Sequence, residues 1–245
     1  MKILAIDTAT EACSVALLYD KNANQENANQ ENFDVIFDVC PQQHSQRILP
    51  MIDELLTKHG IKFAELDAIA YGRGPGSFTG VRIATGIVQG LALGADLPVI
   101  EVSTLAAMAQ QNFMQHGYTS SKVLIDARMQ EVYFGHFAVD TSAVELVVEE
   151  KQGEAVLSPE DALARFAELS HDDPLCGIAG TGWEAYEEVL QASQNASAVK
   201  VLYPSAEFML PIAVQALKAG KTISVDDIAP VYLRDKVTWK KLPGR

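Results

Sequence analysis

Cysteine is scarce in this chain of 245 residues, and the three present, Cys13, Cys40 and Cys176, lie far apart with no Cys-x-x-Cys. That spacing points to neither a thiolate zinc site nor a disulfide framework, and a reduced, cytoplasmic setting is the simplest expectation. Basic residues are also short: 19 Lys and Arg against 32 Asp and Glu give a formal charge of −13. This balance argues against strong stand-alone binding to nucleic acid or to an anionic membrane, and it leaves basic partners open. The five histidines form neither His-x-x-x-His nor His-Glu-x-x-His, so no metal centre can be read from them. Long uncharged apolar runs are missing too. Met1–Ile6 begins like a signal segment, but Asp7 interrupts it before an apolar region of adequate length forms.

What is present centres on Gly72-Arg73-Gly74-Pro75-Gly76-Ser77-Phe78-Thr79-Gly80-Val81-Arg82. Four glycines and a proline within residues 72–80 cannot be regular structure. The run lies between an apolar strand, Leu66–Tyr71, and a helix. Its spacing is neither Gly-x-Gly-x-x-Gly nor a P-loop, and two readings stay open: a phosphate-facing loop or a tight structural corner. In the helix from Val81 to Ala95 the only polar side chains are Arg82, Thr85 and Gln89, a single stripe. One buried face cannot account for so apolar a helix. Gly86, Gly90 and Gly94 recur along one side, and glycine inside a helix costs about 1 kcal/mol relative to alanine. Gly94 can serve as the C-terminal cap; the interior pair calls for close approach of another backbone. Either the helix is buried in the middle of its own domain, or one side lies on its own sheet and the other on a partner chain.

Read in order, the chain repeats a pattern. Strands at Ile3–Ile6, Cys13–Tyr19 and Phe33–Val39 lead to a helix over His44–His59, in which Pro50 marks either the true start or a kink. The Leu66–Tyr71 strand, the apolar helix and a strand at Pro98–Val102 follow. Residues 22–32 are a polar tandem duplication expected to be a solvated hairpin tip. After a helix over Ser103–Gln115 the cycle recurs: strands at Val123–Ile125, Val132–Val139 and Ala143–Val148, a helix at Pro159–Leu169 capped by Ser158, a strand at Leu175–Ala179, a helix at Trp183–Gln191 and a strand at Val199–Tyr203. Ser205 then caps a return helix to about Ala219. The tail from Pro230 holds five Lys and Arg against one Asp. Two βββαβαβ lobes, at about 1–102 and 103–245, give an α/β protein with a cleft between them.

An aspartate ends the first strand of each lobe, Asp7 and Asp126, and a glycine turn with Gly180 and Gly182 in the second lobe answers the first loop. These four residues outline a vestigial nucleotide cleft. The aspartates could hold hydrated magnesium, yet no glycine or lysine accompanies them, and each could equally cap a turn or pair with an arginine such as Arg128. His44 beside Ser45 lacks a third member for nucleophilic catalysis, and capping is the plainer reading. Ser77 and Thr79 are expected to bind nearby backbone. No catalytic residue, metal or cofactor is assigned.

Ile3–Thr10, Gly74–Arg82, Asp126-Ala127-Arg128 with Glu131-Val132-Tyr133, and Pro230–Arg234 together make the chain resemble the bacterial TsaB (YeaZ) family. The resemblance covers nearly the whole chain apart from 22–32. It implies the two-lobed actin/sugar-kinase/Hsp70-like (ASKHA, ribonuclease H-like) fold and a part in making N6-threonylcarbamoyladenosine (t6A) beside the tRNA anticodon. In that system the paralogue TsaD transfers threonylcarbamoyl from its adenylate, TsaE supplies ATPase activity, and TsaB is a non-catalytic partner of TsaD. Where TsaD-like chains carry a His-x-x-x-His metal pair, this chain has Thr104 and Met108. The resemblance implies a TsaD interface on the first two helices, at Arg47, Ile48, Met51 and Leu55 and at Arg82, Gly86, Gln89, Gly90 and Leu93. The same faces are expected to pair two copies when TsaD is absent, with TsaE reached through TsaD and tRNA only indirectly. The rival readings are an ATP-dependent phosphotransferase or ATPase using the cleft, and a glycoprotease-like peptidase, for which no nucleophile is found.

Overall fold

The computed structural model describes residues 1–20, 32–168, 176–187 and 201–234. The polar duplication (except Asn32), the tail beyond Arg234 and the ends expected for the helix at 183–191 and the strand at 199–203 lie outside these residues. The first sheet contains β1 (Ile3–Asp7), β2 (Ala12–Tyr19), β3 (Asn32–Val39), β4 (Ala68–Gly72) and β5 (Val99–Val102) in the order β3-β2-β1-β4-β5. The β1–β2 and β2–β3 pairs are antiparallel; β1–β4 and β4–β5 are parallel. The second sheet, β6 (Ser120–Arg128), β7 (Glu131–Val139), β8 (Val148–Leu157) and β9 (Cys176–Ala179), is ordered β8-β7-β6-β9 with the same senses. Val201 bridges Ala179 in parallel, where the first sheet has β5. The duplication read from the pattern is present in the topology.

Central strand β1 is buried along its whole length because both faces are covered. Leu4 and Ile6 point into one core with α1 (His44–His59) and α2 (Phe78–Ala95). Ile3 and Ala5 point into the other, against α6 (Leu210–Lys218) and the 3-10 turn Ala206–Met209. In α1, Ile48, Met51, Ile52, Leu55 and Leu56 repeat at helical spacing and are buried. The helix runs through Pro50 from His44 and stops at Gly60, whose left-handed conformation (φ 62°) returns its N–H to Leu56 and Thr57. The link between the lobes is α3 (Thr104–His116), capped by Ser103, and α4 (Pro159–Ala167) is capped by Ser158 as expected. A single turn, α5 (Gly182–Ala185), follows β9.

Three local expectations are corrected. The third strand of the second lobe is Val148–Leu157 rather than Ala143–Val148: Asp140 accepts from the Ser142 N–H to form a turn, Val144 is fully exposed, and the strand is a charged edge whose alternation is weak. Ser205 does not cap the return helix. Instead Ser14, on β2, accepts from the Ala206 N–H at 2.9 Å, so the cap comes from the sheet on which this segment packs. Gly94 is not the cap of α2 either; Asp96 takes the left-handed position (φ 54°).

Candidate functional site: a sealed turn and a bare helix face

The loop at 72–80 is pressed onto the turn that follows β1. A Cβ on Gly72 would lie 2.0 Å from Asp7 Oδ2, one on Gly76 2.2 Å from the Ala9 carbonyl, and one on Gly80 2.0 Å from the Thr8 carbonyl. The Ser77 N–H donates to Ala9 O at 2.7 Å and Thr8 Oγ1 donates to Gly80 O at 2.7 Å. Glycine is needed at 76 and 80 because two backbones meet without room for a side chain, and at 72 because the Asp7 carboxyl occupies the space. The loop is a tight corner, and its Ser77 accepts from the Gly80 N–H to cap α2.

Asp7 lies beneath this corner, 1% exposed. It accepts from the Ala9 N–H at 2.9 Å and faces Thr104 Oγ1 at 3.5 Å. Burial pushes its carboxyl up to about 7, with those two hydrogen bonds pulling the other way. Asp126 is held differently. Arg128 pairs with it at 2.9 Å, while the Arg128 N–H and the Tyr186 hydroxyl donate to it at 2.8 and 3.0 Å. Gly180 (φ 102°) and Gly182 press on Leu124, where added Cβ atoms would lie 2.1 and 2.9 Å away. Among the described residues the two aspartates share no bonding partner: each is satisfied by its own surroundings. Thr104 and Met108, at the positions of the TsaD-like histidine pair, are fully buried. Among the described residues no group of three or more His, Cys, Asp or Glu is placed to hold a metal. His44 is buried with its ring nitrogen on the Ala12 carbonyl at 3.2 Å, a structural tie between α1 and β2.

The second helix has two unlike sides. Val81, Ala84, Thr85, Val88 and Ala92 are buried, and Thr85 turns its hydroxyl onto Val81 O. Arg82, Gly86, Gln89, Gly90, Leu93 and Gly94 are exposed, Leu93 at 72%. Cβ atoms added at Gly86, Gly90 and Gly94 would meet nothing within 4 Å. The alternative of a helix enclosed in its own domain is therefore not what the fold provides. Gln89 reaches back to donate to Ile228 O at 3.0 Å. By length and mean hydropathy (1.2) this helix could cross a membrane. It is, however, the crossover between the paired strands β4 and β5, and spanning a bilayer would dismantle the first sheet.

The expected face on α1 needs correction. Ile48, Met51 and Leu55 are 0–3% exposed and belong to the core beneath the helix, so their side chains are not at the surface. Their helical spacing is that of the core stripe. Arg47 is exposed and pairs with Asp38 at 2.8 Å; Leu49 and Pro50 also face outward.

Sequence reasoning missed two groups. At the start of α2 the Arg82 guanidinium lies 3.2 Å over the exposed Phe78 ring and 5.0 Å from that of Tyr232. Between lobes, Glu154 on β8 accepts from Ser103 and, at 3.2 Å, from Arg73. No local pattern marks such pairings; the only signal is that Phe78, Arg82 and Tyr232 lie inside the motif segments. Those segments do converge: Ser77 on Ala9, Val231 N–H on Arg73 O, and Arg234 on Glu131 and the Ala127 carbonyl.

Two lobes of matching strand order, with an aspartate at the end of the first strand in one (Asp7) and two residues before the end of the first strand in the other (Asp126, in β6), define a protein of the ribonuclease H-like, ASKHA class. A sequence model described as TsaD, tRNA N6-adenosine threonylcarbamoyltransferase, matches residues 17–242. The tRNA threonylcarbamoyladenosine biosynthesis protein TsaB of Escherichia coli is 48% identical, with 100% of both chains covered. That of Haemophilus influenzae is 43% identical over 100% of this chain and 98% of its own. The solved structure titled YeaZ from Pseudomonas aeruginosa is 38% identical with a TM-score of 0.78, covering 94% of this chain and 100% of its own. The chain belongs to the TsaB (YeaZ) family.

Proposed function

We propose that this chain is a non-catalytic subunit of the machinery that makes t6A in tRNA, and that it binds and stabilises TsaD. The observation that carries the reading is the bare side of α2: three glycines with open space above them, flanked by Arg82, Gln89 and Leu93. Glycine every fourth residue allows a second helix to approach closely, and the cost of those glycines in an exposed helix is otherwise uncompensated. Arg47 on α1 would extend the contact. The cleft supports the same reading, since Asp7 is covered by the chain's own loop and Asp126 is neutralised by Arg128. TsaE joins through TsaD, tRNA is contacted by the partners of this acidic chain, two copies pair through the same face when TsaD is absent, and the setting is the cytoplasm.

The test is threonylcarbamoyl transfer to tRNA reconstituted from purified TsaD and TsaE. Leaving out this chain removes most of the activity, and Leu93→Asp does the same. Asp7→Asn and Asp126→Asn leave it largely intact. Full activity without the chain, or loss of activity with the aspartate variants while complex formation persists, overturns the proposal.

A further inference from the structure

The face of the first sheet opposite α1 and α2 carries a cavity of about 340 Å3. Its walls are Leu18 from β2, Phe33 from β3, Met114 near the end of α3, Leu146 from the turn between β7 and β8, and Leu210 and Val214 from α6. Three of these are unusually open for large apolar side chains: Phe33 at 49%, Met114 at 47% and Leu146 at 42%. Three charged groups also line it. Lys218 and Glu145 satisfy one another at 2.8 Å on the exposed rim. Glu207 has no such relief. It is partly buried against the apolar wall, it meets the Ser205 hydroxyl at 3.4 Å, and no cation of the described residues forms an ion pair with it. Desolvation pushes its carboxyl above the ordinary range, with only that hydroxyl opposing.

A carboxylate drawn partly out of water without a counter-charge is unfavourable, and the remedy is a cation placed beside it. The cation has to arrive with an apolar body, because apart from Glu207 and the rim ion pair the lining side chains are apolar. A phosphate or carboxylate ligand is disfavoured, since the lysine is already engaged and Glu207 repels it. The volume falls at the small end of the usual range for ligand pockets, about 300–1,000 Å3.

We propose that this cavity binds an amphiphilic organic monocation, an alkyl- or arylalkylamine, with its apolar part among Leu18, Phe33, Met114, Leu146 and Val214 and its ammonium on Glu207. The site lies across the sheet from the helices assigned to TsaD, so a ligand and the partner can be bound together, and the inference does not rest on that assignment.

The experiment is a titration of the full chain, followed by amide and methyl NMR shifts, with 2-phenylethylamine and its neutral counterpart 2-phenylethanol. Saturable shifts at the cavity residues are expected, with the amine binding about tenfold more tightly than the alcohol. Glu207→Gln removes that advantage and leaves the alcohol's affinity unchanged. Leu146→Trp, on an exposed turn where it does not disturb the core, blocks both probes. Absence of saturable shifts at the cavity, equal binding of amine and alcohol, or an amine preference that survives Glu207→Gln each refutes the assignment.

Discussion

Replacing Gly90 by leucine sets the stability of the isolated chain against its ability to associate, and the two should move in opposite directions. Gly90 lies in the middle of α2 with nothing within 4 Å of an added Cβ, so a leucine there extends into open space. Leucine is close to alanine in helix propensity while glycine is less favourable by roughly 0.8–1.0 kcal/mol, so the isolated fold gains about half to one kcal/mol. For a chain of this size that is an increase of about 2–4 °C in Tm per kcal/mol. A helix lying close against the glycine stripe would meet a leucine it has no room for. Overpacking of about 1–3 kcal/mol weakens such a contact roughly 5- to 150-fold. Differential scanning calorimetry of dilute chain gives the first quantity, and sedimentation velocity of the chain mixed with TsaD gives the second. Gly90→Ala is the control: it keeps most of the propensity gain and adds only one methyl. A fall in Tm for Gly90→Leu would show that the stripe is packed internally. Undiminished association with a raised Tm would show that the partner does not use it.

Other outcomes follow from the corner and the lobe contacts. Gly80→Ala and Gly76→Ala place a methyl about 2 Å from a carbonyl oxygen, and each should destabilise the fold by roughly 2 kcal/mol or more in urea denaturation. Asp7 has its pKa raised in the folded chain, so its contribution is fully present in acid and lost as pH rises from the ordinary carboxylate range through about 7. Asp7→Asn, with an amide oxygen still able to accept from Ala9, should flatten that fall, on the order of a few kcal/mol, when stability is compared at pH 5 and pH 8. Ser14→Ala strips the acceptor from the buried Ala206 N–H and should cost about 1–2 kcal/mol. Glu154→Ala leaves Arg73 unpaired between the lobes and should cost about 1–3 kcal/mol, measured by the same denaturation; Glu154→Gln should recover part of it.

The duplicated order of elements was legible because each strand is a short apolar run and each helix carries a core stripe at helical spacing. The charged edge strand β8 was not, since Val-Glu-Glu-Lys-Gln-Gly-Glu does not alternate and its burial is set only by pairing with β7. The excess apolarity of α2 announced a second surface, and the structure leaves that side bare. On α1 the partner face rests on the family resemblance and not on the pattern, and the fold turns its apolar members Ile48, Met51 and Leu55 inward as part of the core stripe. Ser205 had the sequence of a cap, but a hydroxyl from β2, distant in sequence, occupies the position instead. Contacts of this kind, like Glu154 on Ser103 or Tyr232 beside Arg82, depend on how the lobes sit together and leave no local periodicity to read.

The sealed turn and the bare helix are two ends of one segment. Gly72, Gly76 and Gly80 let the loop lie on Asp7, Thr8 and Ala9, filling the space over the β1 turn where a phosphate would need backbone access. The same close contact fixes Ser77, and Ser77 caps α2, so the first turn of that helix is set by the corner. From that start, helical spacing alone decides that Val81, Ala84, Val88 and Ala92 meet the sheet and that Gly86, Gly90 and Gly94 point away. A substitution that lifts the loop to admit a phosphate would therefore also shift the helix. A phosphate site over the β1 turn could not be opened in this chain without disturbing the surface that the glycine stripe presents.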